Sequence, residues 1–220
     1  MDLLSEDLDI AKVTAAQFDT LLANGWRHFG TRFYRYNWQV YERRLVRVMA
    51  LRIRLSSFRQ KRSQRRVLTR NADLEVSITP PVIDAEVETL FHRHKLRFKE
   101  HIPESIFEFI APNEAASPTT LRLITARDLE GRLVGASFFD LGEVSLSAIY
   151  SCFDPEQTRR SLGIFLVLKG IEYAIESDKL FYYHGYAFDV PSFYDYKKRF
   201  TGVERFNWNG SWEPLQAYPR

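Results

Sequence analysis

The chain has 220 residues, of which 45% are hydrophobic and 15% aromatic, so it can bury a sizeable core. Its single cysteine, Cys152, excludes an intrachain disulfide framework and a cysteine-based metal site. The first residues are acidic, unlike the basic start of a secretory signal, and no apolar run approaches the ~20 residues of a membrane helix. These features predict a soluble cytoplasmic protein.

Basic residues are concentrated in one segment of the chain. Residues 43–70 contain eleven Lys or Arg and no Asp or Glu, although the net charge of the whole chain is only +3. The rest of the chain is therefore acidic overall. A basic segment on an otherwise acidic protein indicates a local anionic partner, and the alternative is a solvated surface without a partner.

The N-terminal part begins with a helix that has clear boundary signals. Thr14 and Gln17 form the pattern of a capping box, and Gly25 is placed to end the helix. In residues 51–55, Leu and Ile alternate with Arg, which predicts a strand with one basic face. The further elements predicted here are loop and strand over 26–38, a short helix over 63–70 and a strand over 74–78 that Pro80 and Pro81 stop.

The C-terminal part reads as helices followed by three antiparallel strands and then alternating helices and strands. The predicted elements are helices over 82–99 and near Pro103, a loop over 111–119, strands over 121–126, 133–139 and 144–153, a helix over 163–176, a strand over 180–186, a helix over 193–200 and a strand over 203–208. This order is expected of the GCN5-related N-acyltransferase fold. We therefore predict an α+β fold with a mixed, mostly antiparallel sheet flanked by helices. Residues 1–75 form an N-terminal helix/strand extension with the basic segment, and residues 76–220 form the acyltransferase-like domain.

Three stretches of the sequence carry a resemblance to a known family. The first reads Gly25-Trp26-Arg27-His28-Phe29-Gly30 and then Phe33-Tyr34-Arg35. The second, which is the most specific, includes Phe58, Ser63-Gln64-Arg65-Arg66 and Arg70-Asn71. The third comprises Phe153-Asp154-Pro155, Ser161-Leu162-Gly163, Tyr182-Tyr183-His184-Gly185-Tyr186 and Tyr196-Lys197. In order and spacing these stretches resemble the arginyl-tRNA–protein transferase family and its bacterial leucyl-transferring relatives.

The resemblance implies transfer of an amino acid from a charged tRNA to the N-terminal α-amine of an acceptor protein or peptide. Arg is the donor amino acid it implies first, with Leu as the alternative. The acceptor would begin with an acidic residue, as in the tagging of proteins for degradation. The family's cysteine cluster after the first motif is missing, because residues 36–41 contain no cysteine. A metal site is therefore not carried over, and neither a metal nor another cofactor is expected.

The resemblance also implies roles for individual residues. The aminoacyl-tRNA-binding residues it implies are Arg62, Ser63, Gln64, Arg65, Arg66, Arg70, Ser161, Leu162 and Gly163. The acceptor-binding residues are Trp26, Arg27, His28 and Tyr34, and the catalytic residues are Tyr186, Lys197 and Asp154. Lys197 could hold the donor ribose or phosphate, Tyr186 or His184 could pass the proton, and Asp154 has a turn-forming role as its alternative.

The chemistry makes modest demands on the protein. An aminoacyl ester is activated, and the attacking α-amine has a pKa of about 7.7–8.0, so a useful fraction is neutral near pH 7. Positioning and oxyanion stabilisation can then provide most of the rate, and no strong nucleophile is needed. Cys152, in an apolar strand, is interpreted as a buried small hydrophobic residue. A metal site at His92, His94 and His101 is not expected, because His92 and His94 point to different helix faces.

Two other functions remain open at this point. One is an acetyl-coenzyme-A N-acetyltransferase of the same fold. Against it, Phe165 stands where coenzyme-A enzymes carry a small residue, and a ring there would block a pyrophosphate at the helix that begins near Gly163. The other is a non-catalytic module that binds tRNA or protein N-termini.

Overall fold

A computed structural model describes residues 3–99 and 102–215 of the chain. The strands are β1 (Ser5–Asp9), β2 (Arg27–Phe29), β3 (Arg32–Tyr36), β4 (Trp38–Tyr41), β5 (Arg44–Arg54), β6 (Glu75–Thr79), β7 (Thr120–Arg127), β8 (Leu133–Leu141), β9 (Ser145–Phe153), β10 (Phe181–Phe188), β11 (Val203–Phe206) and β12 (Trp212–Pro214). The α-helices are α1 (Ala15–Ala23), α2 (Arg62–Arg70), α3 (Ala85–Lys95) and α4 (Leu162–Glu176). Short 3-10 helices cover Leu55–Ser57, Ile106–Glu108, Thr158–Arg160 and Phe193–Arg199.

The architecture is a large mixed sheet with a small sheet beside it. The large sheet has the order β12-β11-β5-β10-β9-β8-β7-β6, and β4 pairs with the outer end of β5. Every neighbouring pair in this sheet is antiparallel except β9 and β10, which run parallel. Strands β1, β3 and β2 form the small antiparallel sheet. The predicted α+β class with a mostly antiparallel sheet is therefore confirmed.

Helices cover both faces of the large sheet. Helix α4 packs through Leu166 and Ile171 into the main core, which also contains Tyr182 of β10. Helix α1 packs Phe18 against Tyr183, the next residue of β10, and therefore lies on the opposite face. Helix α3 forms a third apolar cluster with β7, β8 and β9, also on the face away from α4. Each face of the sheet thus has its own core.

Strand β5 joins the N-terminal segment to the rest of the molecule. It lies between β10 and β11 in the large sheet, so the predicted boundary near residue 75 falls between elements that share one sheet. The prediction that Arg52 lies on a basic face of this strand is wrong. That side chain is buried, bonds to Glu204 at 2.7 Å and lies 3.9 Å from the centre of the Phe181 ring. A buried arginine of this kind needs a carboxylate partner, which Glu204 supplies from a strand 152 residues away.

Helix boundaries follow local capping. The capping box of Thr14 and Gln17 is present at the start of α1, and Gly25 follows that helix with φ +84°. Helix α3 starts later than predicted, because the Asp84 carboxylate accepts from the N–H groups of Glu86 and Val87. The segment Phe193–Arg199 is a 3-10 helix where an α-helix was predicted.

Candidate active site

A cleft opens in the middle of the large sheet, where the parallel strands β9 and β10 separate. The two strands pair only from Phe181 opposite Ser145 to Tyr183 opposite Ser147. Just beyond this point each strand carries a β-bulge on its other edge: Ile149 is the extra residue in β9 and His184 the extra residue in β10. A bulge bends its strand, so two bulges at the same level drive the strands apart.

The residues around the bulges are less buried than the paired parts of the two strands. Residues 148–151 of β9 are half-buried, as are Gly185 and Tyr186 of β10, whereas the paired parts of both strands are largely buried. The bulge leaves Ile149 out of the register between β8 and β9, so the ladder is locally disrupted at the level where β9 and β10 separate. The sequence did not predict a role for Ile149, because a bulge leaves no recognisable pattern in the residues of the strand.

Lys197 lies beside the cleft on the 3-10 helix Phe193–Arg199. Its Nζ donates to the carbonyl oxygen of Tyr186 at 2.9 Å. A Cβ on Gly185 would lie 3.1 Å from this Nζ, and Gly185 has φ +83°, so glycine serves both the backbone conformation and the approach of the lysine. Burial, and next the positive charge of Arg27, lower the pKa of Lys197 to about 7.

Arg27 is a buried cation without a carboxylate partner among the described residues. Its guanidinium donates to the backbone oxygens of Trp26 (2.6 Å) and Leu51 (3.3 Å), and its Nε has no partner. The rings of Tyr183 and Tyr186 lie 5.1 and 5.6 Å from the guanidinium carbon. Burial lowers the pKa of Arg27. Lys197 likewise forms no salt bridge with any carboxylate in residues 3–99 and 102–215.

Of the other predicted acceptor-binding residues, only Tyr34 lies against the cleft. Its half-buried ring stacks on Tyr36 at 5.8 Å and meets the Tyr186 ring at 6.1 Å. Trp26 is buried in the core of α1, with the Arg35 guanidinium 4.9 Å above it. Its predicted contact with the acceptor is not supported by this position.

His28 has a structural role in place of the predicted acceptor contact. Its Nε2 lies 2.7 Å from the Asp140 carboxylate and its Nδ1 lies 2.8 Å from the carbonyl oxygen of Gly30. Both partners are acceptors, which favours the imidazolium form, in which both ring nitrogens donate. Burial acts to lower the pKa of His28, but the Asp140 carboxylate outweighs it and the pKa is raised. The ion pair joins β2 to β8.

Two of the three predicted catalytic residues are also engaged elsewhere. The Tyr186 hydroxyl donates to the carbonyl oxygen of Gly25 at 2.7 Å, and burial raises its pKa, so its proton is not directed into the cleft. Asp154 accepts from Arg93 at 2.9 Å and from the N–H of Glu156 at 3.0 Å. These contacts correspond to the turn-forming role that was the alternative to catalysis for this residue. Lys197 is the predicted catalytic residue that the structure places at the cleft.

His184 is the extra residue of the bulge in β10. Its side chain is buried beside Tyr182, Tyr196 and Phe200 on the α4 side of the sheet. Neither ring nitrogen has a hydrogen-bond partner within the described part of the chain, and burial lowers its pKa far below the usual value. It is therefore neutral and a poor proton carrier near pH 7.

Helix α2 presents the predicted RNA-binding arginines on its exposed side. Arg62, Arg65, Arg66 and Arg70 line one shallow hollow, and Ser63 is exposed beside them. Gln64 is the exception, because its buried side chain accepts from the N–H of Lys61 at 2.8 Å and caps the helix. The four arginines form no salt bridge within residues 3–99 and 102–215, which leaves their charge available to an anion.

The end of α2 is bonded to the turn that precedes α4. Asn71 donates to the carbonyl oxygen of Arg160 at 2.8 Å, and Arg160 holds the Asp73 carboxylate through two bonds of 2.7 Å. The next residue, Ser161, has the left-handed conformation (φ 55°, ψ 46°) and starts α4. The predicted RNA-binding helix and the predicted donor loop are therefore one connected surface.

Within that loop the backbone, and not the side chains, faces outward. Leu162 is buried in the main core. A Cβ on Gly163 would lie 2.9 Å from Cε1 of Phe153, so packing against the end of β9 leaves no room for a side chain at this position. The N–H groups of Leu162 and Gly163 lie in the first helical turn, where no preceding carbonyl satisfies them and an anion can bind.

The prediction that the Phe165 ring blocks a pyrophosphate at the start of α4 is wrong. The Phe165 ring is 1% exposed and lies in the main core, so it does not stand over the start of α4. Cys152 is buried as predicted, and burial raises the pKa of its thiol to about 12.

The described residues contain neither a candidate metal cluster nor a helix suited to crossing a membrane. No group of three or more His, Cys, Asp or Glu in that part of the chain has the arrangement of a metal site, and His101 lies outside the described residues. In the same residues, no helix has the length and apolar composition needed to cross a membrane.

Comparisons with known proteins complete the description of the site. The family described as "Arginine-tRNA-protein transferase, C terminus" matches residues 86–207. An aspartate/glutamate leucyltransferase of Stenotrophomonas maltophilia (strain K279a) is 32% identical over 166 residues, which cover 72% of this chain and 66% of that relative. One of the same name from Marinobacter nauticus is 30% identical over 210 residues, which cover 94% of this chain and 86% of the relative. The chain thus spans slightly less than two thirds of the length of the first of these relatives.

A solved structure with the same fold was also found. The crystal structure of FemX aligns with a TM-score of 0.51 and 10% sequence identity, covering 87% of this chain and 65% of that one. Together with the separated parallel strands, it confirms the predicted GCN5-related N-acyltransferase-like fold.

Proposed function

Because the chain belongs to the arginyl-tRNA–protein transferase family, we propose that it transfers an amino acid from charged tRNA to the N-terminal α-amine of an acceptor that begins with Asp or Glu. The observation that carries the proposal is the cleft between β9 and β10. It combines the bulge at Ile149, a lysine with a pKa of about 7 and a buried cation without a carboxylate partner in the described part of the chain. We place the activity in the cytoplasm, where charged tRNA serves translation.

The charge of the cleft supports an acidic acceptor. Arg27 is permanently charged, and the low dielectric around it strengthens its attraction for a carboxylate. Nearby carboxylates are already committed: Asp140 pairs with His28, and Glu204 pairs with Arg52. An Asp or Glu side chain at the acceptor N-terminus would supply the missing negative charge.

The same charge supports Leu over Arg as the donor amino acid. A cationic arginyl side chain bound near Arg27 and Lys197 would meet like charge, whereas a leucyl side chain would not. The two relatives compared above are both named leucyltransferases. We therefore propose Leu as the preferred donor, in place of the Arg that the motifs first implied.

The proposed mechanism uses Ile149 and Lys197. The neutral acceptor amine attacks the ester carbonyl carbon, and the N–H of Ile149 stabilises the oxyanion that forms. The amine loses a proton to the neutral Nζ of Lys197. The bond between the carbonyl carbon and the ribose oxygen then breaks, and the ribose oxygen takes the proton back from Lys197. A peptide bond and an uncharged tRNA result.

The donor tRNA would lie on the α4 side of the sheet. The N–H groups of Leu162 and Gly163 and the arginines of α2 offer contacts to phosphates of its 3′ end and acceptor arm. The bonds between Asn71, Arg160 and Asp73 hold these two parts together. The separation of β9 and β10 would let the ester of such a donor meet the acceptor at Ile149 and Gly185.

The test compares specificity constants within one set of transfer assays. Leucyl-tRNA and arginyl-tRNA are supplied with peptides that begin with Asp or Asn and are otherwise identical. We expect leucyl-tRNA with the Asp peptide to have the highest kcat/KM. Arg27→Gln should reduce the ratio of Asp to Asn peptides toward one, and Arg27→Lys should restore part of it. Equal use of Asp and Asn peptides by the unmodified protein would contradict the acidic-acceptor assignment.

A further inference from the structure

The hairpin formed by β4 and β5 extends beyond the large sheet. Strand β10 pairs with β5 only as far as Val48, and β11 pairs with it only from Leu51 onward. Residues 44–47 of β5 pair with β4 alone. The hairpin therefore presents its side chains at the same end of the sheet at which the cleft opens.

The side chains of the hairpin are basic and exposed. Arg43, Arg44 and Arg47 are exposed, and no salt bridge joins Arg43 or Arg44 to a carboxylate of the described residues. The directly opposed pair Val40 and Leu45 is exposed by 66% and 63%. A protruding ribbon with unneutralised arginines and open apolar side chains has the composition of an interaction surface.

The turn at the tip of the hairpin has an unfavourable backbone for its residues. Glu42 and Arg43 both have positive φ, 47° and 61°, in the two-residue turn that Asn and Gly normally occupy. Charged residues in the left-handed region carry a conformational cost. Strain of this kind is commonly retained where a side chain serves function.

The distance of the hairpin from the cleft indicates what kind of partner could reach both. Leu51 lies opposite Gly185 at the cleft, and the seven residues from there to Arg44 correspond to about 24 Å of strand. The 3-10 helix Phe193–Arg199 spans the gap to α2: Tyr194 packs near Phe188 at the hairpin, and Arg199 accepts from Lys61 before α2. The hairpin and α2 thus stand at two ends of the cleft, and both carry unneutralised arginines.

We propose that the β4–β5 hairpin is a second RNA-binding element, in which Arg43 and Arg44 contact backbone phosphates in the double-stranded part of the donor tRNA. The proposal rests on the tRNA-dependent function proposed above. Duplex RNA is bound mainly through its phosphates and shape, which suits arginines at a protruding turn. The short acidic N-terminus of an acceptor would be bound within the cleft, whereas a polyanion that extends from the cleft would reach the hairpin.

The matched variants come from the strained turn itself. Arg43→Gly removes the positive charge and suits the left-handed conformation, so it should not destabilise the fold. Glu42→Gly makes the same backbone change at the neighbouring position but removes a negative charge. Arg43→Gly combined with Arg44→Gln is the test variant, and Glu42→Gly is its control. Arg65→Ala with Arg66→Ala in α2 provides the comparison.

Two ligands are compared: uncharged tRNA and a single-stranded oligonucleotide of its 3′-terminal sequence. Binding is measured at salt concentrations from roughly 50 to 200 mM, over which affinity that depends on phosphate contacts falls steeply. We expect the test variant to bind tRNA several-fold more weakly, with a salt slope lower by about two, since each phosphate contact contributes about 0.9. Its binding of the single-stranded oligonucleotide should be unchanged. The control should bind tRNA at least as tightly as the unmodified protein.

Three results would overturn the inference, and each has a different meaning. If the test variant keeps the full salt slope while the α2 variant loses part of it, the hairpin does not contact RNA although α2 does. If tRNA binding is unchanged but KM for an acidic acceptor protein rises, the hairpin binds the acceptor. If the unmodified protein binds no tRNA at all, the proposed function fails and the inference fails with it.

Discussion

Lys197 is the residue on which the proposed chemistry most depends. Its pKa is lowered to about 7 by burial and by the charge of Arg27, so about half of it is neutral at neutral pH. A neutral amine accepts a proton and an ammonium does not. Activity limited by this group must therefore rise, and not fall, as pH increases through 7.

We predict two ascending ionisations in the pH profile of kcat/KM. One belongs to the acceptor α-amine at about 7.7–8.0, and the other, near 7, belongs to Lys197. Lys197→Arg, which stays charged, should lower the rate by about 100-fold or more, since general-base catalysis contributes about 10²–10⁴. The residual activity should follow the amine ionisation alone.

The control for this experiment is Lys169→Arg on α4, where the lysine pairs with Glu172 at 2.8 Å. This variant should retain the full profile. Retention of normal kcat/KM by Lys197→Arg would remove Lys197 from the mechanism and leave a structural role through its bond to the Tyr186 carbonyl.

The ion pair of His28 and Asp140 gives a second prediction at the residue scale. The pKa of His28 is raised in the folded protein, because the carboxylate outweighs burial. The stabilisation from this pair is therefore fully present below the unfolded value of about 6.5 and is lost as pH rises through the folded pKa. Asp140→Asn should cost about 3–5 kcal/mol of unfolding free energy below pH 6.5 and less at higher pH.

Urea unfolding at a series of pH values measures this dependence. Asp7→Asn is the control, since its pair with Arg32 is exposed and should contribute little at any pH. A difference between Asp140→Asn and the unmodified protein that grows as pH rises would contradict a charged His28.

At the scale of elements, Gly163 lies where the start of α4 packs against the end of β9. A Cβ there would lie 2.9 Å from Cε1 of Phe153. Gly163→Ala should therefore destabilise the fold by about 1–3 kcal/mol through overpacking. Phe153→Leu in the same chain should recover part of that loss, because it removes the atom in conflict.

Thermal unfolding of the two single variants and the double variant measures this coupling. The interaction free energy from the cycle should be stabilising. If Gly163→Ala unfolds like the unmodified protein but loses transfer activity, the glycine provides space for the donor and the packing explanation is wrong.

Local signals explain which elements the sequence could predict. Helix α1 was predictable because Thr14, Gln17 and Gly25 lie at its ends, and α2 because its motif is dense in helix-forming residues. Strand β1 was not, because its five exposed residues have no alternating pattern and are held partly by ion pairs such as Asp7 with Arg32. Strand β12 has only three residues and pairs with β11.

The cleft was beyond sequence reasoning for a different reason. It results from two bulges, at Ile149 and His184, and from parallel pairing between strands about 35 residues apart. Motif resemblance named Arg27 and Lys197 in separate stretches, and in the structure the charge of Arg27 helps to lower the pKa of Lys197. It did not indicate that His28 differs from these two residues. The bond from His28 to Asp140 depends on a strand 112 residues away.

For the whole molecule, the position of β5 has the largest consequence. This strand carries Leu51, which accepts from Arg27 and lies opposite Gly185, and it continues into the hairpin and toward α2. The proposed acceptor cleft and the proposed RNA-binding surfaces are thus attached to one central strand. The division into segments 1–75 and 76–220 remains a prediction about domain organisation, since both segments contribute strands to one sheet.

The central claim is that the cleft joins an amino acid from tRNA to a peptide α-amine. The most direct measurement is the intact mass of an Asp-initiated peptide after incubation with the protein and leucyl-tRNA. We expect a gain of one leucyl residue at the peptide N-terminus, and no gain when the α-amine is acetylated beforehand. An unchanged mass with leucyl-tRNA and with arginyl-tRNA, under conditions in which the protein binds tRNA, would contradict it.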